Sequence, residues 1–176
     1  MKISTDRLTM SQITQQDWSL FQSLNQDPAV ISLCFDEPSP EALKESFESR
    51  LPRWSKGAEH WLCLTVTLSE SGEKIGVTGF RVSDGVAEVG YLFLPQYHGL
   101  GYGTESLKAL VKWAIEDLGI EAFNAVVTEG NFGSEKVLTN SGFTLHQVVP
   151  DAYQIGGKLY ADHIYRLDHV SIEKSV

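Results

Sequence analysis

The residues whose spacing best suits chemistry are three glycines at alternate positions, Gly99, Gly101 and Gly103. They follow a β-rich run that ends near Leu94, and an amphipathic helical pattern begins directly after them. Glycine lets the chain turn sharply and lets a ligand approach the main chain without meeting a Cβ atom. The first turn of the helix then presents free N–H groups, and the helix dipole adds partial positive charge. The spacing therefore predicts an anion site, most naturally for a phosphate or a pyrophosphate.

Three other kinds of loop also contain closely spaced glycines: a Rossmann turn, a P-loop and a purely structural turn. The neighbouring residues argue against the first two. A dinucleotide-binding Rossmann turn has the spacing G-x-G-x-x-G within a parallel βαβ unit, whereas the spacing here is G-x-G-x-G after a hairpin-like run. A P-loop requires a lysine before its serine or threonine, and no lysine precedes Thr104. A purely structural turn that closes a tight connection is compatible with the glycines taken alone.

The elements that must position this loop can be read from hydrophobic periodicity and turn signals. The pattern predicts, in chain order, a strand at 3–10, helices from Thr14 and from Ser39, strands at 61–68, 74–82 and 86–94, a helix at 103–118, a strand at 122–128, a helix at 134–141, and strands from 143 and at 159–167. This order is typical of an α+β or mixed α/β fold. We expect one domain over residues 1–168 and a C-terminal tail at 169–176.

Composition and charge restrict the class of protein. The chain has 176 residues, of which 42% are hydrophobic and 21% charged, as is typical of a globular domain. Its formal charge of −9 argues against nucleic acid or an anionic membrane as a partner. The spacing of Cys34 and Cys63 suggests no metal site, so we expect reduced thiols and no metal. The lack of a signal-peptide pattern or a membrane-length apolar run predicts a cytoplasmic location.

Five segments, in the same order and at similar spacings, resemble the GNAT acyltransferases, and among them the branch that acetylates ribosomal-protein N-termini (RimJ/RimL-like). His98-Gly-Leu-Gly-Tyr-Gly103 is similar to the Q/R-x-x-G-x-G/A signature that binds the pyrophosphate of acetyl-coenzyme A. The other segments are Thr5-Asp-Arg-Leu8, Glu88-Val-Gly-Tyr91, Gly103-Thr-Glu105, and Asn131-Phe-Gly-Ser134 followed by Gly142-Phe143. Together they cover nearly the whole chain.

The resemblance implies a GNAT fold, with a central twisted mixed sheet flanked by helices, and acetyl-CoA as the acetyl-donor cosubstrate. The strand residues Tyr91, Leu92 and Phe93 would pair their free backbone groups with the pantetheine arm. The pyrophosphate would be wrapped by the loop residues Gly99, Leu100, Gly101, Tyr102, Gly103 and Thr104. Asn131 and Phe132 would lie against the pantetheine and the thiol end, although Asn131 also suits a helix cap.

The resemblance also implies direct attack of a neutral amine on the thioester, which requires a base, an oxyanion donor and an acid for the leaving thiolate. Glu88 is the candidate base, directly or through a water, although a carboxylate on a strand can also simply face solvent. Glu105 competes for this role, but the helix dipole alone explains an acid in the first turn. Ser134 is the candidate acid, and it also suits an N-cap. The oxyanion donor would be a backbone N–H near Leu92 or Phe93.

Two positions depart from the family pattern. His98 stands where the signature prefers Gln or Arg, and its charge would depend on pH. Leu138 stands where many members carry a tyrosine acid. A non-catalytic module that binds CoA or a protein partner therefore stays open as an alternative, as does a phosphate-binding protein of unrelated chemistry.

The acceptor is expected to be a primary amine, either a protein N-terminus or a small cationic amine, because the acidic balance favours a cationic partner. Its specificity would reside in residues 14–55 and 151–160, and the protein would be a monomer or a homodimer. Four aromatic residues could line an acceptor pocket or belong to the core: Trp18, Trp54, Trp61 and Tyr97.

Overall fold

A computed structural model describes residues 1–168, so the predicted tail at 169–176 lies outside the described residues. The core of the fold is an eight-stranded mixed sheet in the order β1-β2-β3-β4-β5-β6-β8-β7. Its strands are β1 (Lys2–Ser4), β2 (Leu8–Gln12), β3 (Leu62–Leu68), β4 (Lys74–Ser83), β5 (Val86–Phe93), β6 (Ala122–Thr128), β7 (Thr144–Ile155) and β8 (Lys158–Asp168). All neighbouring strands are antiparallel except β5 and β6, which are parallel. The predicted mixed fold and the meander of β3, β4 and β5 are confirmed.

Five α-helices flank the sheet: α1 (Trp18–Gln26), α2 (Pro28–Ile31), α3 (Pro40–Ser49), α4 (Tyr102–Leu118) and α5 (Phe132–Asn140). The helix predicted from Thr14 begins as a 3-10 turn, in which the Asp17 carboxylate accepts a bond from the Thr14 N–H at 2.9 Å. Ser39 caps α3 and Pro40 is its first residue, as the sequence predicts. Gly142, with φ of 90°, ends the segment after α5 in the left-handed region that glycine favours.

The structure differs from the sequence predictions in two places, one strand that is predicted wrongly and one helix that is not predicted. The single strand predicted at 3–10 is two strands, because the Thr5 N–H donates to the Leu8 carbonyl at 2.9 Å and turns the chain back on itself. The short helix α2 was not predicted, although Asp27 caps it and Pro28 is its first residue. Four residues are too few to show a helical period.

Residues on the two faces of the sheet form separate hydrophobic clusters. The larger cluster packs α4 against one face and includes Phe80, Phe123 and Leu110, all fully buried. The smaller cluster packs α1 and α3 against the other face through residues such as Phe21 and Phe47. Because side chains alternate along a strand, β5 contributes to both clusters and presents groups to both faces.

The parallel pair in the middle of the sheet separates partway along its length. Pairing between β5 and β6 runs from Val86 opposite Ala122 to Glu88 opposite Asn124 and then stops. Both strands continue beyond this point, β5 to Phe93 and β6 to Thr128. The sheet therefore has a gap between these two strands that opens towards both faces.

Candidate active site

The separation of β5 from β6 leaves backbone groups of β5 without a strand partner. The Leu94 N–H donates to the Ile75 carbonyl of β4 at 2.9 Å, and Leu92 lies opposite Val77 in the same register. Backbone groups alternate in direction along a strand, so Leu92 faces β4 whereas Tyr91 and Phe93 face the gap. Of the two predicted oxyanion donors, the register excludes the Leu92 N–H and leaves the Phe93 N–H. It adds the Tyr91 N–H, which the sequence did not predict in this role.

The glycine-rich loop presents an uninterrupted series of free main-chain donors. No N–H group from Gly99 to Thr104 donates to an acceptor within residues 1–168, and the first bond of α4 runs from Glu105 to the Gly101 carbonyl at 3.0 Å. Gly99 and Gly101 have φ of 73° and 85°, which require glycine. Six consecutive free amides at the start of a 17-residue helix are an arrangement that can bind an anion.

Glycine is needed at position 103 for a different reason from that at positions 99 and 101. It lies in the first turn of α4, where a Cβ atom would come within 2.9 Å of Cγ2 of Val137 in α5. Nothing lies within 4 Å of the corresponding position at Gly99. Gly103 therefore lets α5 pack against the start of α4, and Gly99 and Gly101 shape the loop.

Arg7 and Glu105 tie the glycine-rich loop to the hairpin of β1 and β2. Nε of Arg7 lies 2.7 Å from Oε1 of Glu105, and Nη1 of Arg7 donates to the Leu100 carbonyl at 3.0 Å. Glu105 also accepts bonds from the Thr5 hydroxyl at 2.6 Å and the Arg7 N–H at 3.1 Å. Burial alone would raise the pKa of Glu105, but these hydrogen bonds from Thr5 and Arg7 outweigh it and lower the pKa. Glu105 therefore has a positioning role here.

His98 uses one ring nitrogen on the main chain of β5. Its Nε2 lies 2.7 Å from the Phe93 carbonyl oxygen, which requires that Nε2 carry the proton and donate. In the neutral ring the other nitrogen, Nδ1, is a hydrogen-bond acceptor, so it cannot donate a hydrogen bond to an anion. Its side chain anchors the chain between β5 and the loop.

Helix α5 brings the second predicted segment to the gap. Oδ1 of Asn131 accepts from the Ser134 N–H at 3.3 Å, so Asn131 is the N-cap of α5 and Ser134 lies within the first turn. The suggestion that Ser134 itself caps the helix is wrong. Nδ2 of Asn131 also lies 3.4 Å from the Leu33 carbonyl, which joins α5 to the segment after α2. Phe132 is 76% exposed.

Tyr91 reaches across the gap to α5. Its hydroxyl donates to the Ser134 carbonyl oxygen at 3.0 Å. Burial raises the pKa of Tyr91, more than the bond to Ser134 lowers it, so the phenol stays protonated at neutral pH. Leu138, at the position of the family tyrosine, is fully buried in the core and lines the inner end of the cavity described below.

An elongated groove of about 710 Å³ runs from the glycine-rich loop to the gap. All of the predicted cofactor-binding residues line it except Leu100, whose side chain is 52% exposed. Two features of the groove were not predicted from the sequence. One is a wall formed by α2 and the residues directly after it, and the other is a cationic side chain, Lys136 of α5. This wall comes from a helix too short for a periodic signal, although its Asp27-Pro28 start is visible in the sequence.

A second cavity, of about 320 Å³, lies on the α1 and α3 side of the gap. Glu88 lines it, and the Glu88 carboxylate forms no ion pair or hydrogen bond with another side chain in the described part of the chain. Asn124, opposite Glu88 on β6, has a buried side-chain oxygen that no group in residues 1–168 donates to. The Glu88 carboxylate is therefore available to a molecule bound in this cavity.

The groove and the cavity meet at the gap. Six residues line both spaces: Leu33, Cys34, Tyr91, Leu92, Asn131 and Ser134. Of the four aromatic residues considered for an acceptor pocket, Trp61 lines the cavity, Tyr97 lines the groove, and Trp54 is a core residue with 7% exposure. Trp18 packs edge-on against Phe47 at 5.1 Å between ring centroids. Two molecules bound in these spaces would meet beside β5.

The groove fits the acetyl donor that the sequence resemblance implies. Six free amides and Lys136 suit a pyrophosphate, and the open edge of β5 suits an amide-bearing arm such as pantetheine. No group of three His, Cys, Asp or Glu side chains within residues 1–168 is arranged to hold a metal ion. No helix in the same residues is long and apolar enough to cross a membrane.

Comparison with known proteins gives a family and a fold. A family described as the acetyltransferase (GNAT) domain matches residues 7–144. An uncharacterized N-acetyltransferase of Bacillus subtilis strain 168, YoaA, is 24% identical, with 94% of this chain and 95% of that protein covered.

Two solved structures share the fold at low sequence identity. Spermidine N-acetyltransferase from Vibrio cholerae in complex with CoA and spermine superposes with a TM-score of 0.82 at 16% identity, over 95% of this chain and 98% of the other. RimL, a ribosomal L7/L12 alpha-N-protein acetyltransferase in complex with coenzyme A, gives 0.80 at 16% identity, over 96% and 98%. These two proteins act on different acceptors, so the shared fold does not select one.

Proposed function

The chain belongs to the GNAT acetyltransferase family, and from this premise we propose that it moves an acetyl group from acetyl-CoA to a primary amine by direct attack on the thioester. The observation that carries the proposal is the run of six free main-chain amides from Gly99 to Thr104, which opens into a groove ending at the gap beside β5. The second cavity then provides the space for the amine.

The donor would be held mainly by main-chain groups. The amides of Gly99, Leu100, Gly101, Tyr102, Gly103 and Thr104 would bind the pyrophosphate, helped by the charge of Lys136. The Tyr91 carbonyl and the Phe93 N–H would pair with the pantetheine arm, while Leu92 would contribute its side chain, because its backbone faces β4. Asn131 and Phe132 would border the arm near its thiol end.

Acetyl-CoA supplies an activated acyl group, and the chain supplies the proton transfers around it. Glu88 would take a proton from the ammonium form of the acceptor, directly or through a water, so that the amine lone pair is free to form the new N–C bond. The Tyr91 N–H, the gap-facing amide nearer to Glu88 along β5, would donate to the carbonyl oxygen as it gains negative charge. As the tetrahedral adduct collapses, the C–S bond breaks and the nitrogen loses its second proton to solvent. The Ser134 hydroxyl would give its proton to the departing sulfur and regain one from solvent.

The acceptor class, the cellular location and the oligomeric state are also part of the proposal. A protein N-terminus, as in the ribosomal-protein (RimJ/RimL-like) branch, and a small cationic amine are both compatible with a cavity that is apolar over much of its wall. A cytoplasmic location suits a chain whose two cysteines are both free. We propose a monomer or a homodimer, with no nucleic acid, membrane or metal as partner.

The proposal can be tested by calorimetric titration with acetyl-CoA, followed by measurement of thiol release with a panel of primary amines. We expect saturable binding and amine-dependent thiol release above the hydrolysis background. Binding without any amine-dependent release would favour the alternative, a non-catalytic CoA- or partner-binding module, for which the buried Leu138 is the supporting observation. No binding at millimolar acetyl-CoA would overturn both.

A further inference from the structure

Arg50, the C-cap residue directly after α3, lies in the wall of the second cavity. Its guanidinium carbon lies 5.7 Å from the centre of the Phe21 ring and 5.9 Å from the centre of the Trp61 ring. Its backbone is fixed as well, because Nε2 of Gln12 donates to the Arg50 carbonyl at 3.2 Å. The guanidinium is therefore held in a defined place between two aromatic side chains.

Most of the hydrogen-bonding capacity of Arg50 is unused. Only Nη1 has protein acceptors, namely the carbonyl and hydroxyl oxygens of Ser46, both at 2.8 Å, and the Ser49 hydroxyl at 3.4 Å. Nη2 and Nε donate to no acceptor within residues 1–168, and no carboxylate in that range forms an ion pair with Arg50. Burial lowers the pKa of Arg50, which reflects the free-energy cost of holding this charge without a partner.

The cavity contains two charged side chains of opposite sign. Of the residues that line it, only Arg50 and Glu88 carry a charge at neutral pH. The remaining wall is largely apolar and includes Phe21, Trp61 and Leu92. An arginine with a free fork of donors suits a carboxylate, which can accept two parallel bonds from it. A polyamine, in contrast, would bring a second positive charge towards Arg50.

We propose that the acceptor carries a carboxylate in addition to its amine, and that Arg50 binds this carboxylate while the amine points to Glu88. This inference rests on the proposed function and narrows it. The net charge of −9 favours a cationic partner for the molecule as a whole, but the wall of this cavity has no net charge. An acceptor with both charges, such as an amino acid or an acidic peptide N-terminus, matches it.

Matched acceptor pairs test this inference. Alanine against alaninamide reports on the carboxylate of a free amino acid, and Ala-Glu-amide against Ala-Gln-amide reports on an acidic side chain in a peptide. In at least one pair, we expect kcat/KM of the native enzyme to be about tenfold higher for the carboxylate member, as a charge-assisted bidentate bond predicts. No preference in either pair, or a preference for spermidine over all four acceptors, would overturn the inference.

Variants then assign the preference to Arg50. Arg50→Gln should reduce the ratio within the preferred pair to about one, since only the carboxylate member loses a charge-assisted bond, and the KM for acetyl-CoA should stay the same. Arg50→Lys keeps the charge without the fork and should keep part of the ratio. Arg53→Gln, at an exposed arginine three residues away, is the matched control and should keep all of it. A ratio that survives Arg50→Gln contradicts the assignment.

Two controls distinguish a failure of this inference from a loss of folding and from a failure of the proposed acetyltransferase activity. Arg50 also bonds to Ser46 in the last turns of α3, so melting temperatures of all variants identify a loss of folding, and the ratio within a pair cancels a uniform loss of activity. If no amine releases thiol from acetyl-CoA, the proposed function fails. Calorimetric binding of the four acceptors then decides the inference: carboxylate-dependent binding that Arg50→Gln removes supports it, and equal binding contradicts it.

Discussion

At the scale of single residues, Glu88 is placed by backbone register. It is the last residue of β5 that pairs with β6. Its carboxylate therefore lies at the start of the gap, and it lines the second cavity. Its side chain forms no ion pair within residues 1–168, although Arg81 lies directly opposite on β4. A carboxylate at this point, without a protein partner, is available to an acceptor or a water.

Replacement of Glu88 by glutamine should lower kcat/KM for the acceptor by about 10²-fold, the range of general-base catalysis, with KM for acetyl-CoA unchanged. The loss should be largest at low pH, because there the acceptor is protonated and needs a base. Steady-state kinetics between pH 6 and pH 9 measure this. Glu70→Gln, at an exposed glutamate in the turn after β3, is the control. An unchanged rate and pH profile would show that Glu88 is not the base.

At the scale of elements, the glycine-rich loop depends on a contact between distant parts of the chain. Arg7 follows β1, whereas Leu100 and Glu105 flank the start of α4, and Arg7 bonds to both. The Arg7 guanidinium also lies 4.3 Å from the centre of the Tyr102 ring. The conformation of the loop that carries the six free amides is thus stabilised by contacts from the hairpin of β1 and β2.

Arg7→Ala should raise the KM for acetyl-CoA about fivefold and leave the acceptor KM nearly unchanged. Arg7 is a positioning residue, and because 44% of its side chain is exposed, its bonds contribute about 1 kcal/mol. Calorimetric titration with acetyl-CoA and steady-state kinetics measure the effect, with Arg53→Ala as a control at another exposed arginine. If the affinity of Arg7→Ala for acetyl-CoA equals that of the native protein, the loop does not need this contact.

Asp17 joins the start of α1 to the sheet. The buried Asp17 carboxylate lies 2.6 Å from Nζ of Lys74 in β4 and accepts a bond from the Thr65 hydroxyl of β3 at 2.9 Å. Burial alone would raise the pKa of Asp17, but the bonds from Lys74, Thr14 and Thr65 together lower it. A carboxylate with a lowered pKa stabilises the fold above its ordinary pKa of 3.8 and loses that effect as the pH falls through the lower, folded-state value.

Asp17→Asn should therefore reduce the free energy of unfolding by about 2 kcal/mol at neutral pH. The difference between the variant and the native protein should stay constant down to about pH 5 and narrow below that, as the native carboxylate becomes protonated. Urea unfolding at several pH values measures both, and Asp6→Asn is the control at an exposed aspartate. A difference that grows on acidification would contradict the sign.

At the scale of the whole molecule, the groove and the second cavity communicate at the gap between β5 and β6. Cys34 is the one thiol that lines both of them in the described part of the chain, and burial raises the pKa of Cys34. A thiol with a raised pKa is a poor nucleophile at neutral pH. The arrangement therefore favours transfer within a complex of both substrates over transfer through an acetylated cysteine.

Initial rates measured at several concentrations of both substrates should give intersecting double-reciprocal lines, because both substrates must be bound before the reaction occurs. Incubation with acetyl-CoA alone should leave the intact mass of the protein unchanged. Parallel lines, together with an acetyl group on Cys34 in a peptide mass map, would demonstrate a covalent route and overturn the direct attack proposed above.

Much of the fold and part of the site could be predicted because local rules set them. Alternating apolar residues fix β3 to β5, a helical period fixes α4, and the glycines before Tyr102 require a sharp turn with open amides. These features depend on residues within a few positions of one another. Residue spacing therefore specified the family, the loop and the strand that carries Glu88.

Only the tertiary structure decided which distant groups meet. Residue spacing does not reveal that β5 and β6 separate after Glu88, that Arg7 reaches Leu100 and Glu105, or that the guanidinium of Arg50 stands without a partner in the cavity that Glu88 lines. Such contacts join residues tens of positions apart. They depend on the packing of helices on both faces of the sheet, which no short segment encodes.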